Sequence, residues 1–307
     1  MGKQDKRAYW HNYRSRAIYM VTMTKSHGTP LFGKIAGDCR IPQGQQGHPY
    51  VKWSEIGSIV ADTIFNIHKI CDKIKLLQYI VMPDHLHALL FVTQPTADPF
   101  GYYMARFKNE VNNRCGATGI FEKGFNDQIL KPNRKLDDIY QYIKQNPYRL
   151  AVRQQHPEFF QRIRNLSING RMCHAYGNPF LLRNPFKEQV VVHRADNTDT
   201  RRMNHDQWIH TAANGGILVS PFISEAEKAI RDEAELVGGR FILLHDHPFE
   251  AKEKPSRREF NLCAEGRMLM IAPADYSGRT RDQRLSRRDC LDLNALAAAI
   301  ATNPQLK

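Results

Sequence analysis

The stretch Tyr79-Ile80-Val81-Met82-Pro83-Asp84-His85-Leu86-His87-Ala88-Leu89-Leu90-Phe91-Val92 constrains this chain more than any other. Apolar residues lie on both sides of a charged, imidazole-bearing centre, the pattern of a buried strand that carries a polar cluster. Side chains alternate between the two faces of a strand. His85 and His87 therefore project from one face, Leu86 and Ala88 from the other. Two imidazoles about 6.5 Å apart along a strand can converge on one divalent ion, with a third ligand from elsewhere. The same spacing also fits a pair of hydrogen-bonded core histidines, and the rest of the chain has to decide between the two.

Ahead of this stretch, Ala17–Thr24 is rich in strand formers and predicts a first strand. Residues 25–51 hold five glycines and three prolines and predict a long loop. A helix is expected from an N-cap at Ser54 to about Cys71, with Ile56, Ile59, Val60, Ile64 and Ile67 at helical spacing. Ile74–Met82 predicts a strand, Pro83 and Asp84 a bend, and residues 85–92 the strand with the histidines. A second helix over Pro99–Arg114 and a strand over Phe121–Ile129 follow. The last element is a helix from Leu136, apolar at Ile139, Tyr140 and Ile143, expected to stop at Asn146-Pro147. Strand–helix–strand–strand–helix–strand–helix is a ferredoxin-like βαββαβ order with an appended helix, an α+β arrangement.

Beyond about residue 165 short apolar runs alternate with helical patterns: Val190–Val192, Asn204–Ala213, Gly216–Ser220, Glu225–Val237, Arg240–Leu244, Met268–Ile271 and Ser286–Ala301. That alternation predicts a parallel α/β sheet with helices on its faces. The boundary is placed within 160–185, giving an α+β domain over 1–165 and an α/β domain over 166–307.

Charge separates the same two halves. Residues 1–165 carry 24 Lys and Arg against 13 Asp and Glu; residues 166–307 carry 20 against 18. Nearly all of the net charge of +13 thus lies in the first half. A basic half-molecule is the footprint of a polyanion binder, nucleic acid first. Arg14 and Arg16, beside Tyr9, Trp10 and Tyr13, suit phosphate contact with base stacking. Lys108 lies on the second helix, and Lys131, Arg134, Lys135, Lys144, Arg149 and Arg153 bracket the last helix, where a bound strand would pass. No apolar run approaches the roughly 18–20 residues that span a membrane, and the first residues have no apolar signal core. Six scattered cysteines without a Cys-x-x-Cys predict reduced thiols and a cytoplasmic protein.

Tyr142 and Asn146, four residues apart, share one face of the last helix. With His85 and His87 they complete a set whose order and spacing resemble the single-tyrosine HUH transposases, most closely their REP-associated branch. The resemblance rests on Met82-Pro83-Asp84-His85-Leu86-His87 and on Tyr142-Ile143 followed by Asn146-Pro147. Tyr19–Thr24, Phe107-Lys108 and Phe125-Asn126-Asp127 add to it, and together they cover about residues 10–155. Asp84 stands where many members carry Asn. The resemblance implies an HUH nuclease domain in which His85, His87 and Asn146 bind Mg²⁺ or Mn²⁺ and Tyr142 is the nucleophile. It implies single-stranded or hairpin DNA as partner, cleaved and rejoined through a 5′-phosphotyrosine, with a monomer or a homodimer both open. A DNA-binding protein on the same fold without catalysis is the alternative. Tyr140 is read as core, and Asp127 as either structural or an orienter of a histidine. The second half resembles Rossmann-like domains in texture, without their glycine-rich phosphate turn. Its His245-Asp246-His247 repeats the His-x-His spacing without a tyrosine partner.

Overall fold

Alternating apolar residues make Ala17–Thr24 the strand β1, whose Tyr19, Val21 and Met23 are buried on one face. The computed structural model describes residues 8–130, 136–193, 195–249, 255–276, 278–279 and 283–303, and the chain divides into two compact units, Met1–Gln155 and His156–Lys307. The molecule is a mixed α+β protein.

In the first unit β1 is followed by β2 (Gly33–Ala36) and β3 (Tyr50–Trp53), which pair with each other. The segment expected to be one long loop therefore contains a short hairpin. Two four-residue strands set among glycines and prolines give too little alternation to be seen in the sequence. Helix α1 (Glu55–Phe65) is capped by Ser54, whose side chain accepts from the Gly57 amide. A Cβ on Gly57 would sit 1.8 Å from the Phe32 carbonyl oxygen, so only glycine lets the helix come this close. Strands β4 (Ile74–Val81) and β5 (His85–Val92) form an antiparallel pair joined at Met82–Asp84, where the Met82 amide donates to the His85 carbonyl at 2.8 Å. Then come α2 (Phe100–Arg114), β6 (Asn126–Ile129) and α3 (Leu136–Gln155). β6 is shorter than expected: Phe121 makes one isolated bridge to Lys25, and Gly124 with φ +72° turns the chain before the strand begins.

These strands form a sheet ordered β4-β5-β1-β6, each neighbouring pair antiparallel. One face buries Tyr19, Val21, Leu86 and Leu90 against α1 and α2, through Val60, Ile64, Met104 and Phe107. The other buries Met20 and Leu89 against Ile139 and Ile143 of α3.

Helix α3 does not stop at Asn146-Pro147 but continues through Pro147 to Gln155. An interior proline costs about 3 kcal/mol, because it removes one amide and crowds the preceding turn. Ile139 and Ile143 before it, and Ala151 and Val152 after it, are all buried. Each large one contributes about 1.5–3 kcal/mol, so packing outweighs the local break.

The second unit opens with β7 (Gln161–Ile168) and β8 (Arg171–Gly177), an antiparallel hairpin within the stretch in which the domain boundary is expected. The boundary drawn at 165/166 thus falls inside β7. Next come β9 (Lys187–Gln189), α4 (Thr198–Ala213), β10 (Ile217–Ser220), α5 (Glu225–Leu236), β11 (Arg240–Leu244), α6 (Arg257–Ala264), β12 (Met268–Pro273) and α7 (Arg287–Thr302). β9 lies just ahead of the apolar Val190–Val192 expected to form it, and α6 was not foreseen. The sheet order is β7-β8-β12-β11-β10-β9, parallel from β9 to β12 and antiparallel where β8 joins. Ile217, Val219, Ile242 and Ile271 pack on α7, while Leu218, Phe241 and Met270 pack among residues of α4, α5 and α6. Both faces are covered, which is why these strands read as unbroken apolar runs. No helix among the described residues is long and apolar enough to cross a membrane.

Candidate active site on the antiparallel sheet

The register of β1 decides which polar residues meet. Thr22 lies opposite His87 of β5 on one side and Asn126 of β6 on the other, and His87 lies opposite Ile80 of β4. Directly paired residues share a face. One row of four strands therefore carries Ile80, His87, Thr22 and Asn126 on the side covered by α3.

His85 and His87 stand together as alternation requires, with ring centroids 4.5 Å apart. Each Nδ1 is engaged by a neighbour. Asp84 Oδ1 lies 2.6 Å from Nδ1 of His85, and Thr22 Oγ1 lies 2.8 Å from Nδ1 of His87. Such contacts fix ring orientation and leave Nε2 as the nitrogen that a cation would take. The hydrogen bond to His85, ahead of the opposing effect of burial, holds the Asp84 carboxyl below its usual range. Asp84 is thus the orienting partner of His85, and Thr22 is a partner the sequence reading missed. A threonine in a strand carries no local mark of the ring it will face 65 residues further along the chain.

From α3 the Tyr142 ring comes within 5.7 Å of the His87 ring, centroid to centroid. The Tyr140 hydroxyl instead donates to the Leu77 carbonyl at 2.9 Å, which spends it on the backbone of β4. Asn146, one turn on from Tyr142, donates its Nδ2 to the Tyr142 carbonyl at 2.7 Å. In that rotamer the amide oxygen is the atom left to serve a cation. Among the described residues no group of three or more His, Cys, Asp and Glu is assembled for a metal. A cation here would therefore take two imidazoles and complete its shell with amide, phosphate or water oxygens. That mixed nitrogen–oxygen set suits Mn²⁺ and, less well, Mg²⁺.

Asp127 does not orient the histidines. It pairs with Val21, on the opposite face, and its Oδ2 accepts from the Tyr13 hydroxyl at 2.9 Å.

The cations expected to hold DNA separate into groups. Arg14, Arg16 and Lys144 are exposed, and the Arg16 guanidinium lies over the Phe91 ring at 5.2 Å. Lys108 is engaged within the fold: its ammonium donates to the carbonyls of Glu122 and Gly124, and burial lowers its pKa. It lies on α2, whose apolar side packs against the sheet face away from α3. Arg149 is buried beside the nucleophile candidate, its guanidinium carbon 6.0 Å from the centre of the Tyr142 ring. Arg153 is half-buried in the last turn of α3. Lys131, Arg134 and Lys135 lie outside the described residues.

No family model matches the chain. An uncharacterised protein of Haemophilus influenzae is 21% identical over 161 residues, covering 45% of this chain and 83% of that protein. Among solved structures, a REP-associated tyrosine transposase bound to a REP hairpin aligns with a TM-score of 0.32 and 15% identity, over 46% of this chain and 72% of that one. A similarity at this level is distant and fixes neither fold nor activity.

Proposed function

We propose that the first unit is a ferredoxin-like, metal-dependent single-stranded DNA nuclease and transesterase that cuts and rejoins DNA near hairpins. The observation that carries this reading is the convergence of Tyr142 on the His85–His87 pair from a different element of the fold. A structural histidine pair needs no phenol beside it, and a structural tyrosine would spend its hydroxyl as Tyr140 does.

In this reading the Tyr142 oxygen attacks the scissile phosphorus. The bond from phosphorus to the 3′-oxygen breaks, the phenol loses its proton, and the departing 3′-oxygen gains one. DNA is left joined through its 5′-phosphate to Tyr142, with a free 3′-hydroxyl. Because one phosphoester replaces another, attack by a 3′-hydroxyl reverses the step without ATP. A divalent cation held by His85 and His87, with the Asn146 amide oxygen as third ligand, would polarise the phosphodiester and offset charge in the transition state. Asp84 and Thr22 hold the imidazoles in position, and the buried guanidinium of Arg149 places a fixed positive charge beside the phenol. Arg14, Arg16 and Lys144 supply exposed charge for the strand on either side of the cut.

The test offers a pool of labelled single-stranded hairpin oligonucleotides, with Mn²⁺ or Mg²⁺, to the parent and to Tyr142→Phe. A denaturant-resistant protein–DNA adduct with the parent and none with the variant supports the proposal. Equal, purely reversible binding by both would leave a DNA-binding protein without catalysis.

A further inference from the structure

The second unit has a polar crevice of its own, at the carboxyl ends of β10 and β11. It encloses about 410 Å³ and is lined by Lys228, Arg231, His245, Asp246 and His247, with Phe222 and Leu243 among its apolar walls. In parallel α/β sheets, ligands sit outside the carboxyl ends of the strands, and the volume is within the range of small-molecule sites.

Three features define what the crevice would accept. The first is how the turn from β10 into α5 uses its amides. A glycine-rich turn would present these amides to a phosphate. Here the Phe222 amide donates to Ser220 Oγ at 3.0 Å, and the Ile223 and Ser224 amides both donate to Glu227 Oε2 at 2.9 Å. Recognition of an anion must therefore come from side chains.

The second feature is the surplus of positive charge. Asp246, the carboxylate in the lining, lies 2.7 Å from Nδ1 of His247. Arg231 lies 3.6 Å from Asp232, a carboxylate already held at 2.6 Å by Arg258. The Nε of Arg231 is buried without a hydrogen-bond partner among the described residues. Lys228 is tied to Glu225 at 2.7 Å, an exposed pair worth little.

The third is backbone strain. Phe222 has φ +47°, a left-handed conformation unusual for a bulky residue. Strained residues of this kind gather at ligand sites. The Phe222 ring lies under the Arg231 guanidinium, 5.7 Å from centroid to carbon.

We propose that this crevice binds a small phosphomonoester, with Arg231 and Lys228 on the phosphate and the Phe222 wall against its organic part. The site is independent of the DNA chemistry assigned to the first unit.

Isothermal titration calorimetry on the full chain with adenosine 5′-monophosphate, adenosine and inorganic phosphate tests it. Adenosine 5′-monophosphate should bind and adenosine should not. Phosphate binding as tightly as the nucleotide would also support the anion site and identify the free ion as its occupant. Arg231→Gln should weaken binding about tenfold or more, the usual effect of losing a charge-assisted contact. Lys228→Gln, at a partly exposed position, should weaken it by a smaller factor and keeps the test usable if Arg231→Gln loses its fold. Tyr142→Phe should bind as the parent does. Failure of both phosphate-bearing probes to bind the parent would overturn the proposal. So would equal binding by the parent and folded forms of both charge variants.

Discussion

His85-Leu86-His87 lies within β5, whereas His245-Asp246-His247 follows directly on the end of β11. Both pairs bring their rings within 5.0 Å, at 4.5 Å and 5.0 Å respectively. In β5 the pleat fixes both rings on one face, partners from two other positions take each Nδ1, and an aromatic hydroxyl-bearing residue arrives from α3. Past β11 the His245 amide still donates to the Ile271 carbonyl of β12 at 2.8 Å, and His247 lies two residues beyond that bond. Nδ1 of His245 lies 3.5 Å from Nε2 of His247, and guanidinium and ammonium groups share the crevice. Asp246 lies 2.7 Å from Nδ1 of His247 and Glu259 3.9 Å from Nε2 of His245, so carboxylates as well as cations border this pair. One spacing thus serves two different electrostatic environments, and the surroundings carry the chemistry.

The comparison breaks most clearly at the tyrosine. Tyr142→Phe should lower cleavage by roughly three orders of magnitude or more, as loss of a nucleophile does. Tyr140→Phe should leave cleavage near the parental rate, and so should His247→Ala in the other motif, while His87→Ala should abolish it. Adduct formation on denaturing gels reads all four. If Tyr140→Phe fell silent and Tyr142→Phe stayed active, the nucleophile would move by two residues.

The next effect is on stability. Ile143→Ala under the first site and Leu293→Ala beside the second remove fully buried side chains and should each cost about 2–5 kcal/mol. Amide hydrogen exchange, followed separately in each unit, measures both. Only Ile143→Ala should also slow DNA cleavage, because it loosens the seat of Tyr142.

A smaller change sharpens the role of the supporting shell. Thr22→Val removes the hydroxyl at Nδ1 of His87 and should shift the Mn²⁺ activation curve about 10–100-fold to higher concentration. Unchanged metal dependence would reduce Thr22 to a packing residue.

The smallest effect concerns pH. The Asp84 carboxyl titrates below its unfolded value of about 4. Its contribution to stability is therefore fully present above that value and is lost as pH falls through the lower folded one. With 59% of the side chain exposed, screening limits the contribution to under about 1 kcal/mol. Asp84→Asn should lose that much at neutral pH and show a flatter acid limb in urea titrations from pH 5 to pH 2.

The elements around the first site were legible where one period ran long enough. Ser54 announced α1, and eight-residue apolar stretches announced β1 and β5. The hairpin of β2 and β3 was not legible, since four residues among turn formers show no period. Pro147 misled because a local rule gave way to the burial of Ile143 and Val152 on either side of it. Lys108 misled for a related reason: a basic residue on a helix looks available to phosphate until the fold brings two carbonyls to it. Arg149 looked like a surface cation and lies buried beside Tyr142.

Alternation along β5 and the four-residue step from Tyr142 to Asn146 are local regularities, so the amino-acid order by itself determined that His85 and His87 share a face and that Tyr142 and Asn146 share another. Which faces meet is a long-range matter. The register of β1 selected Thr22 as the partner of His87 and put Asp127 on the opposite side, and packing of α3 on Met20 and Leu89 carried Tyr142 to the imidazoles. Strand pairing and helix docking join residues tens of positions apart through burial and backbone hydrogen bonds, and no local pattern records those choices.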